Sequence, residues 1–342
     1  MTKTPINLQD LRRRIYRKAK SDKAHRFWGI FVHVAKIETL REAYNQAKRN
    51  GGAPGIDGQS FSDIEKDGLE MFLEELSRDL LDGTYTPRAN RRVDIPKDNG
   101  KVRTLQIPSI RDRVVQGALK LILEAIFEAD FCHNSYGFRP KRSPQLALSA
   151  VRRSLLRRMN RVIDVDLTKY FDNIRHSILL EQIARRVEDP KVMHLVKQII
   201  KMAGKIGVPQ GGPFSPLAAN IYLNEVDWAF EHIRQKTAYK TYEYVNYHRF
   251  ADDIVITVSG HDTKRGWTER ALQRLKEFIE PLGVSLNTEK TKVVDILKKE
   301  SFGFLGFDFR WIVNWKNNRP YILMTPKKKA IKGIKARIKN LM

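Results

Sequence analysis

Two adjacent aspartates, Asp252 and Asp253, stand between Phe250-Ala251 and the β-branched run Ile254-Val255-Ile256-Thr257-Val258. This composition predicts a hairpin over Tyr244 to Val258 whose tight turn falls on Ala251-Asp252-Asp253. An Asp-Asp pair in a turn is by default turn chemistry, because the carboxylates bond their own backbone there. It acquires another meaning when a third carboxylate joins it. Consecutive residues of a strand or turn point different ways, so the third must come from another segment. Asp166, at the end of Arg161-Val162-Ile163-Asp164-Val165-Asp166-Leu167, is the best candidate. Carboxylate oxygens suit Mg²⁺, which takes one or two of them plus water and substrate phosphate. Two such ions about 3.5–4 Å apart suit phosphodiester formation, one activating the attacking hydroxyl and one holding the leaving phosphates. Asp164 shares a face with Asp166 by strand alternation, so the pattern alone does not separate them.

The elements that must position these acids follow from periodicity and punctuation. A helical pattern runs from Leu8 to Arg49, with Ile30, Val34, Ile37 and Leu40 at three-to-four spacing, and ends in the loop Asn50-Gly51-Gly52-Ala53-Pro54-Gly55. A second amphipathic helix is predicted from Phe61 to Leu81, stopped by Asp82-Gly83. Asn90 to Ile107 reads as a hairpin turning at Lys97-Asp98-Asn99-Gly100. Helices are expected from Asp112 to Ala129, from Ser143 to Met159, near Ser177 to Ala203 and from Arg265 to Leu282, with short strands over Ser285 to Tyr321. Arg161 to Leu167 is β-branched and reads as a strand. A mixed α+β architecture results, with acids at strand ends and turns.

Charge narrows the partners. The 342 residues carry 63 Lys and Arg against 39 Asp and Glu, a net charge of +24. Such an excess favours a polyanion and predicts binding that weakens steeply with salt. The cations are spread along the chain rather than gathered on one amphipathic helix, so nucleic acid is expected rather than an anionic membrane. No stretch approaches the roughly 20 apolar residues of a membrane span, and Met1 leads into polar sequence. The lone Cys132, among aromatic and apolar neighbours, reads as a half-buried thiol and excludes a disulfide scaffold. A soluble, cytoplasmic protein is expected.

The chain resembles the reverse-transcriptase family, in particular the reverse transcriptase/maturases of group II introns, from about Arg12 to the last residue. Eight strings in order carry the resemblance: Gly55-Ile56-Asp57-Gly58; Ile95-Pro96-Lys97 through Arg103-Thr104-Leu105-Gln106-Ile107-Pro108; Ser135-Tyr136-Gly137-Phe138-Arg139-Pro140; Asp166-Leu167-Thr168-Lys169-Tyr170-Phe171-Asp172; Pro209-Gln210-Gly211-Gly212-Pro213-Phe214-Ser215-Pro216; Phe250-Ala251-Asp252-Asp253; Gly283-Val284-Ser285-Leu286-Asn287-Thr288-Glu289-Lys290-Thr291; and Phe304-Leu305-Gly306-Phe307. The resemblance implies a right-hand polymerase with an N-terminal helical extension (1–50), fingers (51–160), a palm with an antiparallel sheet (161–325) and the beginning of a thumb helix (326–342). Asp166, Asp252, Asp253 and the Leu167 carbonyl would hold two Mg²⁺, with Mn²⁺ as a substitute, and Asp172 would anchor local backbone. Phe171 corresponds to an aromatic gate against the ribose 2′-hydroxyl. Lys97 and Arg103 correspond to the grip on the incoming triphosphate. Gln210 and Gly211 fall under the nascent base pair, and Lys290, with Lys292 as the alternative, corresponds to the lysine that protonates pyrophosphate. Phe304, Leu305 and Gly306 resemble the primer grip, and Arg139 is placed at template phosphate or in a structural salt bridge.

The resemblance further implies an RNA template, the protein's own intron RNA, a DNA primer and dNTPs as partners. Phe250 replaces the commoner Tyr before Ala-Asp-Asp, and Phe214 stands where a smaller aliphatic is usual. The sequence stops within the first thumb helix, so a shortened chain of low processivity is expected. Oligomeric state is not legible, with a homodimer as the working expectation. Two alternatives stay open: an RNA-binding splicing cofactor without polymerase activity, and a defence- or CRISPR-associated reverse transcriptase.

Overall fold

The computed structural model describes residues 7–96, 102–238, 242–260, 266–316 and 318–341. They fall into two compact units, one comprising the residues up to Phe131 with Phe171–Tyr222, the other Cys132–Tyr170 with everything from Leu223. In chain order the first unit carries α1 (Leu8–Ser21), α2 (Phe31–Ala35), α3 (Ile37–Arg49), α4 (Phe61–Asp67), α5 (Leu69–Asp82), the strands β1 (Arg91–Pro96) and β2 (Val102–Ile107), and α6 (Ile110–Phe127). The chain enters the second unit with α7 (Pro144–Leu156) and β3 (Arg161–Val165), then supplies the first with α8 (His176–Ala184) and α9 (Pro190–Lys201). After α10 (Ser215–Thr237) the second unit is completed by β4 (Val245–Phe250), β5 (Asp253–Val258), α11 (Trp267–Ile279), β6 (Lys292–Asp295), β7 (Ser301–Phe304), β8 (Phe307–Val313), β9 (Pro320–Pro326) and α12 (Lys328–Leu341). The expected α+β class is found, and every pairing among the named strands is antiparallel. No helix among the described residues is long and apolar enough to cross a membrane.

In the first unit α6 is apolar on most of its circumference and therefore central, with α1 and α3 packed on it. Gly117 makes the α3 crossing close: a Cβ there would lie 3.0 Å from that of Ala43. Ser109 caps α6, and the buried carboxylate of Asp112 in its first turn accepts from Tyr85 Oη at 2.7 Å, Ser109 Oγ at 2.8 Å and the Arg88 N–H at 3.0 Å.

Several helices are shorter than the periodicity predicts. The pattern over Leu8 to Arg49 breaks after α1, where the Asp22 carboxylate accepts from the N–H groups of Ala24 and His25 and Gly29 adopts φ 62°. Phe61 to Leu81 breaks at Gly68, whose φ of 114° only glycine tolerates well. Ser177 to Ala203 breaks at Asp189-Pro190, where Asp189 caps α9. The 23-residue α10 had no counterpart in the sequence reading. Asn220, Asp227 and Glu231 are buried in it beside Leu217, Ile221, Leu223, Val226 and Phe230, so no clean apolar stripe marks its period.

The second unit is built on a sheet of order β4-β5-β3-β6 and a smaller sheet β7-β8-β9. Leu148, Val151 and Leu155 of α7 share one core with Val162, Val255, Phe302 and Phe309. Phe302 and Phe309 stack at 4.9 Å. His248 is buried behind α7, its Nε2 3.0 Å from Ser154 Oγ, and burial pushes its pKa down to about 3. A histidine neutral when folded but titrating near 6.5 when unfolded stabilises fully above that pH and loses the contribution as pH falls. We predict that urea unfolding at pH 5 reads about 2 kcal/mol less stability than at pH 6.5 from this residue, a loss absent in His248→Gln.

Candidate active site

The register of the larger sheet decides where the acids meet. β3 and β5 pair from Arg161 with Val258 to Val165 with Ile254. One step further along the same register sets Asp166 opposite Asp253. Phe250 pairs with Asp253, so β4 and β5 are joined by Ala251-Asp252 alone, with Ala251 left-handed at φ 57°. Asp166 and the adjacent pair Asp252-Asp253, far apart in sequence, thus converge at one end of one sheet. On the other side of β3, Asp164 is paired with Lys292 of β6.

A cleft of about 430 Å³ opens here, lined by Asp164, Asp166, Asp253, Lys290, Lys292 and Lys327 among others. Asp253 keeps access to solvent, yet the protein packed around it, then the charges of Asp252, Asp164 and Asp166, push its pKa up to about 6 against the pull of Lys327. Asp164 is raised to about 6 by burial first, with Lys327 and Lys292 opposing Asp166. Carboxylates that resist ionising together gain by taking up a cation. The hard oxygen donors fit divalent ions of the Mg²⁺ type.

Asp166 is firmly placed. Its N–H donates to Thr291 Oγ1 at 3.3 Å, its C=O accepts from the Asn287 N–H at 2.8 Å, and Lys290 Nζ lies 3.5 Å from its carboxylate. The Thr168 N–H donates to the Ser285 carbonyl at 2.9 Å. These bonds flank the bridge between Leu167 and Leu286 and do not use the Leu167 carbonyl, which leaves that oxygen out of the pairing.

The remaining expected residues fall in varied places. Lys97 lies outside the described residues, and Arg103 sits on β2 opposite Ile95. Phe171 belongs to the first unit, in the helical turn Tyr170–Asp172, and its carbonyl accepts from the Val208 N–H at 2.9 Å. Gln210 donates through Nε2 to Asp172 at 2.9 Å, and its carbonyl accepts from the Gln106 N–H at 2.8 Å. Gly211, at φ 132°, has no room for a side chain, since a Cβ would lie 2.6 Å from the Gln106 carbonyl. Its close approach is therefore to the β1–β2 hairpin. Arg139, for which the motif leaves template phosphate and a structural salt bridge both open, is turned inward: it is 7% exposed and donates at 2.6 Å to the carbonyls of Cys132 and Ser135. Phe304, expected on nucleic acid, is 3% exposed and belongs to the core, because Leu305 and Gly306 form a two-residue turn (φ 47° and 81°) that points it inward. Leu305 and Gly306 keep surface there.

Sequence reasoning missed Lys327, which it read as thumb helix. The residue precedes α12, donates its N–H to the Gly306 carbonyl at 2.8 Å, and runs its side chain over Gly303, where a Cβ would collide with the ammonium. The glycine at 303 was the only signal. It also assigned no role to Arg249, a buried charge near the end of β4.

A family model described as reverse transcriptase (RNA-dependent DNA polymerase) matches residues 95–309. Protein YkfC of Escherichia coli (strain K12) is 34% identical, the alignment covering 87% of each chain. The group II intron-encoded protein LtrA of Lactococcus lactis subsp. cremoris is 28% identical over 83% of this chain and 57% of its own. A putative COX1/OXI3 intron 2 protein of Saccharomyces cerevisiae is 27% identical over 85% of this chain and 40% of its own. The chain thus spans about half the length of these two intron-encoded relatives.

Proposed function

The chain belongs to the reverse transcriptase family, and from that premise we propose that it is an RNA-directed DNA polymerase of the group II intron maturase type. The observation that carries this reading is the register that sets Asp166 opposite Asp253, with Asp252 on the adjoining turn. In it Asp166, Asp252, Asp253 and the Leu167 carbonyl would hold two Mg²⁺, which when bound would supply activation of the primer 3′-hydroxyl and charge neutralisation at the triphosphate. Lys290, whose Nζ lies 3.5 Å from the Asp166 carboxylate, would supply a proton to the departing pyrophosphate. Lys97 and Arg103 hold the triphosphate oxygens, to which a point charge and a forked guanidinium are both suited. Gln210 and Gly211 support the nascent pair, and the Leu305-Gly306 turn meets the primer.

Template RNA, DNA primer, dNTPs and the intron RNA are the proposed partners. The net charge of +24 supports a polyanion and a steep salt dependence. The test is extension of a primer on an RNA template with dNTPs and Mg²⁺. Synthesis from dNTPs is expected, while RNA binding without any extension would leave the splicing-cofactor reading standing. In the same assay Phe171→Ala should narrow the preference for deoxy- over ribonucleotides by about tenfold or more, because the 2′-hydroxyl then meets no steric barrier. Unchanged sugar discrimination would remove Phe171 from the gate.

A further inference from the structure

We propose that Arg249, with Asp227, is a positioning residue that sets the turn carrying Asp252 and Asp253; the inference rests on the polymerase reading of that turn. Both side chains are completely inaccessible. Arg249 is bidentate, Nε to Oδ1 at 2.7 Å and Nη2 to Oδ2 at 2.5 Å. Its Nη1 donates to the Ala251 carbonyl at 2.9 Å. A buried ion pair adds little stability over an apolar pair of the same volume, so packing alone does not explain one here. What an apolar pair lacks is the donor aimed at the turn. Ala251 is left-handed, a conformation an alanine holds only when its surroundings impose it.

The surroundings do so from three sides. The Arg249 carbonyl accepts from the Tyr136 N–H at 2.8 Å, and the Arg249 N–H donates to the Asn134 carbonyl at 3.0 Å, which ties the end of β4 to that segment. Gly137 then lies flat on the turn: a Cβ there would collide with the Ala251 nitrogen and sit 3.0 Å from the Phe250 carbonyl carbon. Arg249 closes the remaining side through the Ala251 carbonyl. The guanidinium is matched to this task because one rigid plane serves two carboxylate oxygens and a carbonyl together, which an ammonium does not.

The experiment uses the full chain and three readouts: Mn²⁺ binding followed by electron paramagnetic resonance, thermal unfolding, and primer extension. Arg249→Lys keeps the charge and loses the fork. Arg249→Met combined with Asp227→Met removes the pair without stranding a charge, and is expected to fold. Both should raise the Mn²⁺ concentration for half-saturation by about tenfold and lower kcat by about tenfold or more, with KM for template–primer within about twofold. A double variant that folds and binds Mn²⁺ like the parent would overturn the positioning role while leaving the polymerase reading intact. A parent protein that takes up no Mn²⁺ and extends no primer would overturn the polymerase reading and this inference with it.

Discussion

Asp252→Ala, and equally Asp166→Ala, should lower RNA-templated DNA synthesis by at least about a thousandfold, since each removes several kcal/mol of charge stabilisation from the transferring phosphoryl group. Affinity for RNA at a given salt concentration should be unchanged or slightly tighter, because the substitution deletes a negative charge from a basic protein. Melting temperature should not fall. Asp253 is held up near 6 partly by Asp252, Asp164 and Asp166, so removing one acid relieves repulsion. The double variant should be no worse than the worse single, as residues acting through a shared centre are not additive. Primer extension and fluorescence anisotropy across a salt series read these outcomes, and a variant retaining a tenth of parental synthesis would sink the role of that carboxylate.

Asp227→Ala should cost about 3–5 kcal/mol of stability, the penalty for stranding the buried Arg249 guanidinium. Compare Asp10→Ala, which removes the partner of Arg13 in a pair whose side chains are 53% and 62% exposed. That change should lie within about 1 kcal/mol. Urea unfolding of the two variants measures the contrast, and similar small losses in both would show that the interior pair is better hydrated than its complete inaccessibility implies. The joint Met replacement should recover most of the loss, since no charge then remains unpaired.

The converging acids were legible because their signals are local. A β-branched run ending in Asp166 and a hairpin turning on Ala251-Asp252 each follow from short-range composition, and the order of motifs joins them. Where reading failed, a distant neighbour decides. Asp164 and Asp166 share strand parity, and both line the cleft; nothing in the string reveals that Lys292 and Lys327 face Asp164. Phe304 looks like a nucleic-acid contact in sequence, but an aromatic core holds it, while for Arg139, open to a phosphate or a structural role, carbonyls of the 132–135 segment supply the partners. Arg249 reads as one more cation in a basic chain until its partner on α10 is known, and α10 itself hides its period by burying Asn220, Asp227 and Glu231. Helix ends at Gly68 and Asp189-Pro190 were open to a stricter use of glycine and proline as breakers.

The whole account depends on Asp166, Asp252 and Asp253 sharing a pair of divalent ions. Anomalous diffraction from crystals soaked in Mn²⁺ tests this most directly. It should show two peaks about 3.5–4 Å apart, bounded by those three carboxylates. Peaks elsewhere, or none beside the β4–β5 turn at saturating Mn²⁺, would contradict it.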